Sequence, residues 1–382
     1  MVEDGDYAPF HVTRSGTASA RIEFKAVGSG ARILGYETYD ERYTAVTVLG
    51  DYVTIDGFAI DVMAADASVP SRGIRVSGTA SDYRRGVIVR SNRVSNAGWV
   101  GITTSFAAGV VIEYNEVSNS KGQHGIYVAN SADDPVIRGN RVHDNDEAGI
   151  QINADASQGG DGVITNALIE NNVLYGNGRN GSGAIELDGA AYATIRNNLL
   201  YGNNTTGINM YRVDASAGSH HNRITHNTIV MPAGSRHGIA FRSGSTHGYL
   251  RNNIAIHLGT ADSMAVDGNS ITGMDSDYNI LTRIENPSGD LISLAEWRTQ
   301  YGQDRSSFVA TAGELFLAPA SNDYRLAAGS RAIDSGTAVP DLSYDLAGNG
   351  RPQGNGYDIG CYEFATPSSN KIPGPPYNLK LE

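Results

Sequence analysis

The chain is poor in several things that would each point to a familiar kind of protein. Its 382 residues contain one cysteine, Cys361, so no internal disulfide can form and cysteine usage carries no information about redox compartment. No apolar run approaches the ~18 residues needed to cross a bilayer as a helix. Lysine occurs only at positions 25, 121, 371 and 380, every other basic residue being arginine. The 29 basic against 41 acidic residues leave a net charge of −12, which argues against nucleic acid as a partner. No cysteine or histidine cluster has zinc-site spacing, and no glycine-rich phosphate loop opens a helix. Cys361 has no His or Asn/Asp partner in its motif and reads as a small buried residue. Proline is scarce at 12 and glycine abundant at 46, a balance that suits many tight turns without disorder.

What is present is a repeat. The segments "RSNRVSN", "EYNEVSN", "RGNRVHDN", "ENNVLYGN", "RNNLLYGN", "THNTIV" and "RNNIAI" align on Asn92, Asn115, Asn140, Asn172, Asn198, Asn227 and Asn253, spaced 23, 25, 32, 26, 29 and 26 residues apart. A second marker follows each of the first six: Gly101, Gly125, Gly149, Ala184, Gly207 and Gly238, each leading an aliphatic residue. Short alternating strands at such a period, without helical spacing, predict stacked β-coils: a right-handed parallel β-helix. One coil cannot bury its apolar face alone, so stacking supplies the core. The asparagines are expected to form a hydrogen-bonded ladder at the turns. The weaker repeats of 270–364 and "LISLAEWRTQYG" predict a less regular C-terminal cap containing a short helix. The β-helix and cap are expected to span 1–365, with the repeats clearest over 86–260. Residues 366–382, ending "PGPPYNLKLE", read as a linker or the start of a truncated module, so a multimodular parent chain is expected.

The repeat, "GDYAPFHVTRSGTASARIEFKA" at the front and "DYRLAAGSRAIDSG…DLAGNGRPQGNGYDIGCYEF" at the end together resemble the pectate-lyase-like superfamily of secreted, bacterial β-helix proteins that act on polysaccharides. The resemblance covers about residues 5–364. It implies a carbohydrate-active enzyme, monomeric, secreted, periplasmic or on the cell surface, with a polysaccharide as its partner. "MVEDGDYAPF" has neither a basic n-region nor an apolar stretch, and reads as an opening partway into a strand-turn pattern. The resemblance leaves the reaction open. The paired aspartates, Gly-His-Gly and Arg-x-Lys of polygalacturonases are absent, and so are the Asn-x-Asp and Lys-Ser of alginate and chondroitin lyases.

Register nominates the site. Successive strand residues alternate faces. Levelling the markers puts Ile102, Ile126, Ile150, Ile185, Ile208 and Ile239 inward, with Thr104, Val128, Ile152, Leu187, Met210 and Phe241 as a second inward column. The outward columns then read Thr103, Tyr127, Gln151, Glu186, Asn209, Ala240 and Ser105, Ala129, Asn153, Asp188, Tyr211, Arg242. An outward face without functional demand should hold mostly Thr, Ser, Val and Lys. This one offers carboxylates, amides, tyrosines and arginine, the groups that recognise sugar hydroxyls and ring faces. Expected catalytic residues are Glu186, Asp188, His124, Tyr211, Arg242 and Lys121. Tyr127, Asn130, Gln151, Asn153, Asn209, Arg212 and His237 are expected to bind substrate, and Asp155 and Asp214 to hold Ca²⁺. The long insertions "ADASQGGDGVIT" and "YRVDASAGSHH" are expected to wall the groove.

Two chemistries fit these residues. A lyase acting by β-elimination on a uronic-acid polymer would use the basic side chains and tyrosine, and is preferred. A glycoside hydrolase would use Glu186 and Asp188 as its pair, which lie about 6.6 Å apart along one strand at about 3.3 Å per residue. A binding protein or an epimerase is the third alternative.

Overall fold

The computed structural model describes residues 1–364, and the expected tail at 366–382 lies outside them. The chain winds into a right-handed parallel β-helix whose three faces are sheets of 11, 10 and 13 strands. Each coil contributes one strand per face in fixed order, as in Val100–Ser105, Val111–Glu113 and Glu116–Ser118 before the chain returns at Ile126–Ala129.

Two local rules make the coils repeat. The first acts at the corner between the second and third strands. There a residue with positive φ (Ser91, Tyr114, Gly139, Asn171, Asn197, His226, Asn252 or Tyr278) precedes an asparagine. Those asparagines form the expected ladder and extend it to Asn279. From Asn115 onward each side-chain oxygen accepts from both the backbone and the amide nitrogen of the asparagine in the coil before, as Asn140 does from Asn115 and Asn198 from Asn172. Buried amides are thereby paired without water. A shorter ladder, Asn145, Asn177 and Asn203, repeats the device one corner on.

The second rule acts at the glycine marker. A Cβ on Gly125 would come within 2.4 Å of a Val142 methyl, and one on Gly101 within 2.3 Å of Val117. The absent side chain lets the first strand close against the third sheet.

The register of the first sheet matches the sequence expectation residue for residue. Ile126 pairs with Ile150, Ile150 with Ile185 and Ile185 with Ile208, all fully buried. Tyr127, Gln151, Glu186 and Asn209 line up beside them in the outward column.

The predicted helix is Leu294–Tyr301, capped by Ser293 and Glu296, with Trp297 buried and donating to Asp304 at 3.0 Å. A second short helix, Ala312–Leu315, was not foreseen. The C-terminal segment does more than close the last coils. It runs back along the outside of the third sheet, where Phe316, Tyr324, Ile359 and Cys361 share a second core with Leu199, Val230 and Ile254. The buried pair Arg351–Glu363 ties it to Asn197 of a mid-helix coil.

Candidate functional site

The outward face of the first sheet carries a cleft of about 320 Å³ lined by Ser182, Glu186, Thr205, Thr206, Asn209, Tyr211, Arg236, His237 and Arg242, with Gly181 at its rim. Three successive coils supply it. Ile185–Asp188 brings Glu186, Thr206–Tyr211 brings Asn209 and Tyr211, and His237–Phe241 with its flanks brings the basic residues.

Glu186 forms part of the lining yet is itself buried. One carboxyl oxygen accepts from the Gly183 amide at 2.7 Å and the other from Asn209 Nδ2 at 2.7 Å. Burial outweighs these bonds and pushes its carboxyl up to about 7, with the nearby Glu147 adding to the rise. Tyr211 is held by the Gln151 amide at 3.1 Å, and burial beside Glu186 raises its phenol well above the ordinary value. It is therefore neutral at any ordinary pH.

His237 and Arg242 belong to a chain of four groups. His237 Nδ1 meets Asp262 at 2.9 Å and its Nε2 meets Arg242 Nη2 at 3.1 Å, while Arg242 Nη1 reaches Glu285 at 2.8 Å. The ligand-type atoms of His237, Asp262 and Glu285 lie within 4.8 Å of one another, and Arg242 is already bonded to two of these three groups. Arg236 is exposed at the rim and forms no ion pair among the described residues.

Of the residues expected to be catalytic, Glu186, Tyr211 and Arg242 converge here, joined by His237 and Asn209 from the expected binding set. The other three are placed elsewhere by identifiable bonds. Asp188 is fully buried, with Oδ1 accepting from the Val213 and Ala215 amides and Oδ2 from the Asp214 amide. It caps the 213–215 loop, and both of its oxygens already have backbone partners. Lys121 donates to the carbonyls of Ala64 and Ala65 at 2.5 and 2.9 Å, fastening a distant loop. His124 accepts the Ala148 amide on Nδ1 at 3.1 Å, its ring lies 5.1 Å from that of Tyr127, and burial lowers it to about 3.

The remaining expected residues form the far wall. Tyr127 is half-buried, and burial with the charges of Asp214 and Asp155 lifts its phenol to about 12. Asn153 donates to Asp214 at 3.1 Å and Asn130 to Ser105 at 2.9 Å. Asp155 caps the turn at Ala156–Gln158, accepting from both nitrogen and hydroxyl of Ser157. Among the described residues no third His, Cys, Asp or Glu joins Asp155 and Asp214 to make a cluster. Arg212 is exposed on the same loop.

Arg236, Asp262 and Glu285 were missed by sequence reasoning. In the coil of Asp262 the marker position holds Ser263 rather than glycine, which hides that coil and the one after it, which carries Glu285. Asp262 nonetheless stands in register with His237, as His237 does with Thr206.

Comparison with known proteins agrees with the architecture. Residues 67–181 match the family model described as the right-handed β-helix region. No curated protein matches by sequence. Among solved structures, the pectate lyase Pel9A superposes with a TM-score of 0.63 at 15% identity, over 95% of this chain and 87% of that one. An alginate lyase from Paenibacillus sp. str. FPU-7 gives 0.50 at 20% identity, over 71% and 88%. The Dettilon tailspike protein (gp208) gives 0.50 at 15%, over 80% and 62%. At these identities the likeness is one of fold.

Proposed function

We propose that the cleft at Glu186 is the active site of a polysaccharide lyase acting on a uronic-acid polymer. The observation that carries this is the convergence of two arginines, a carboxylate-oriented histidine, a buried carboxyl and a phenol in one cleft. β-Elimination needs those three functions. His237, oriented by Asp262, takes the proton from C5 of the uronate. The electron pair forms the C4–C5 double bond as the C4–O4 bond breaks. Glu186, which holds a proton up to about pH 7, delivers it to the departing O4. Arg236 and Arg242 offset the substrate carboxylate and the charge that builds on it in the transition state. Tyr211 and Asn209 contact sugar hydroxyls.

Two of the structures similar in fold are a pectate lyase and an alginate lyase, which supports an acidic polysaccharide as substrate. The hydrolase alternative built on Glu186 and Asp188 loses its second carboxylate to the loop amides. In this mechanism the arginines fill the role of a bound cation, so a chelator is expected to leave turnover unchanged. Activity lost on chelation and restored by Ca²⁺ would return that role to a metal.

The test is incubation with a panel of polyuronates and neutral glycans, reading ultraviolet absorbance of the unsaturated product alongside reducing ends. Absorbance and reducing ends rising together on a polyuronate are expected. Reducing ends alone would mean hydrolysis, and binding without either would mean a non-catalytic module or an epimerase.

A further inference from the structure

Resting on that proposal, we infer that Arg242 is a latch on the base: it occupies the Nε2 lone pair of His237 until a substrate carboxylate draws the guanidinium away. The tautomer follows from the donors. A guanidinium can only donate, so the 3.1 Å contact between Arg242 Nη2 and His237 Nε2 makes Nε2 the acceptor. The ring proton is then on Nδ1, where Asp262 accepts it at 2.9 Å. Both neighbours select the same neutral form, with the basic nitrogen turned to the cleft and already engaged.

The other end of the latch is Glu285. It bonds Arg242 Nη1 at 2.8 Å from the coil beyond Asp262, in the outward column that runs Asn209, Ala240, Ala265, Glu285. Two alanines in succession leave a shallow bed between Asn209 and Glu285 for a long side chain. Arg242 is about a quarter exposed, so its face is open to ligand.

A carboxylate offers the guanidinium two charged acceptors, a stronger partner than one neutral imidazole nitrogen. A uronate bound in the cleft therefore competes Nη2 away from His237, while Glu285 keeps Nη1 and so limits how far the guanidinium travels. The freed Nε2 faces the substrate whose charge released it. A neutral or esterified sugar fills the same cleft without lifting the latch. Selection for the acidic polymer is thus exercised on the state of the base as well as on affinity. Asp262 and Glu285 are positioning residues in this scheme, and neither needs to touch substrate.

Nitrogen-15 spectra of histidine-labelled protein read the latch without relying on turnover. The His237 signals are assigned by their absence in His237→Gln. In the free protein we expect Nδ1 protonated and Nε2 bare but hydrogen-bonded. A saturated uronate oligomer should shift the Nε2 resonance toward the unbonded position, and its methyl ester should not. Glu285→Gln should produce part of that shift without ligand. Asp262→Asn should lower kcat by about 10²-fold or more, leaving KM near its starting value. A proton on Nε2 in the free protein would overturn the latch. So would an unmoved His237 signal with the acidic oligomer bound by calorimetry, or failure of that oligomer to bind at all. If the shift occurs but no unsaturated product ever forms, the latch stands and the lyase assignment falls.

Discussion

Two faces of this solenoid carry many charged groups and use them in opposite ways. On the second sheet the outward positions Lys25, Asp56, Arg90, Glu113, Arg138, Glu170 and Arg196 stack in consecutive register with signs that alternate without a break. Ion pairs join Lys25 and Arg90 to Asp56, Arg138 to Glu113 and Arg196 to Glu170, at 2.7–3.6 Å. Every charge in that column is answered from an adjacent coil. On the first sheet the equivalent column runs Tyr127, Gln151, Glu186, Asn209, Ala240, where like does not meet its complement. Glu186 is buried beside an amide, and the cations that could balance it are turned to His237, to Glu285 or to solvent. A repeat protein with no demand on a face can satisfy it by a rule of period one coil. Departure from such a rule, with a buried carboxyl raised to about 7, is the mark expected of a face that meets a ligand.

That contrast is broken most sharply by removing the groups that depart from the rule. His237→Gln and Arg242→Ala should each lower kcat by about 10²–10⁴-fold, the range for a lost general base or a lost charge contact in the transition state. Far-ultraviolet circular dichroism should confirm an unchanged fold. If both variants keep wild-type turnover on an accepted polymer, the first face is ordinary surface.

Glu186→Gln should also abolish most turnover, and its pH behaviour sharpens the point. Activity that needs the protonated carboxyl declines as pH rises through about 7. The stability effect has a definite sign. The folded carboxyl titrates above its unfolded value, so the folded state binds the extra proton between about 4.5 and 7. Stability from this group is present below that window and is lost as pH rises through it. The melting temperature of Glu186→Gln relative to wild type should therefore climb between pH 5 and pH 8. A flat difference would mean an ordinary carboxylate.

Smaller effects belong to the structural groups. Asp188→Asn leaves three loop amides facing a weaker acceptor, with a cost of about 1.5–3 kcal/mol for a charged hydrogen-bonding group. Denaturation should show that loss, and any fall in activity should follow loosening of the 213–215 wall. On the second sheet, Arg138→Gln removes one rung of the alternating ladder. Its partner pair is 43% and 10% exposed, so the loss should stay within about 1 kcal/mol with turnover unchanged.

The coil rule was readable because it is written in residue types. Glycine is required where Val142 presses on Gly125, asparagine where one coil hands a hydrogen bond to the next, and apolar residues wherever the strand faces inward. Levelling those markers was enough to place Glu186, Asn209, Tyr211 and Arg242 on one surface. Register assigns a face, however, and says nothing about which backbone groups a side chain will find there. Lys121, His124 and Asp188 were each on or near the expected face and were each taken up by main-chain carbonyls or amides. Asp262 and Glu285 lay one and two coils past the last clear marker, where Ser263 replaces glycine. The expectation that an undemanding face would be Thr, Ser, Val and Lys also gave way to alternating arginine and acid, because neighbouring coils can neutralise each other at every step. The C-terminal strap has only weak repeats to read, and its docking rests on single contacts such as Arg351 to Asn197.

On the proposed function, the first sheet's cleft engages the sugar, and the paired-charge face and the Asp155–Asp214 wall do not. A crystal structure of the Glu186→Gln variant with a short polyuronate oligomer tests it directly. The predicted result is a sugar carboxylate within hydrogen-bond distance of Arg242 or Arg236, with C5 facing His237 Nε2. An ordered oligomer seated on the wall or on the second sheet, with the cleft holding only water, would contradict it.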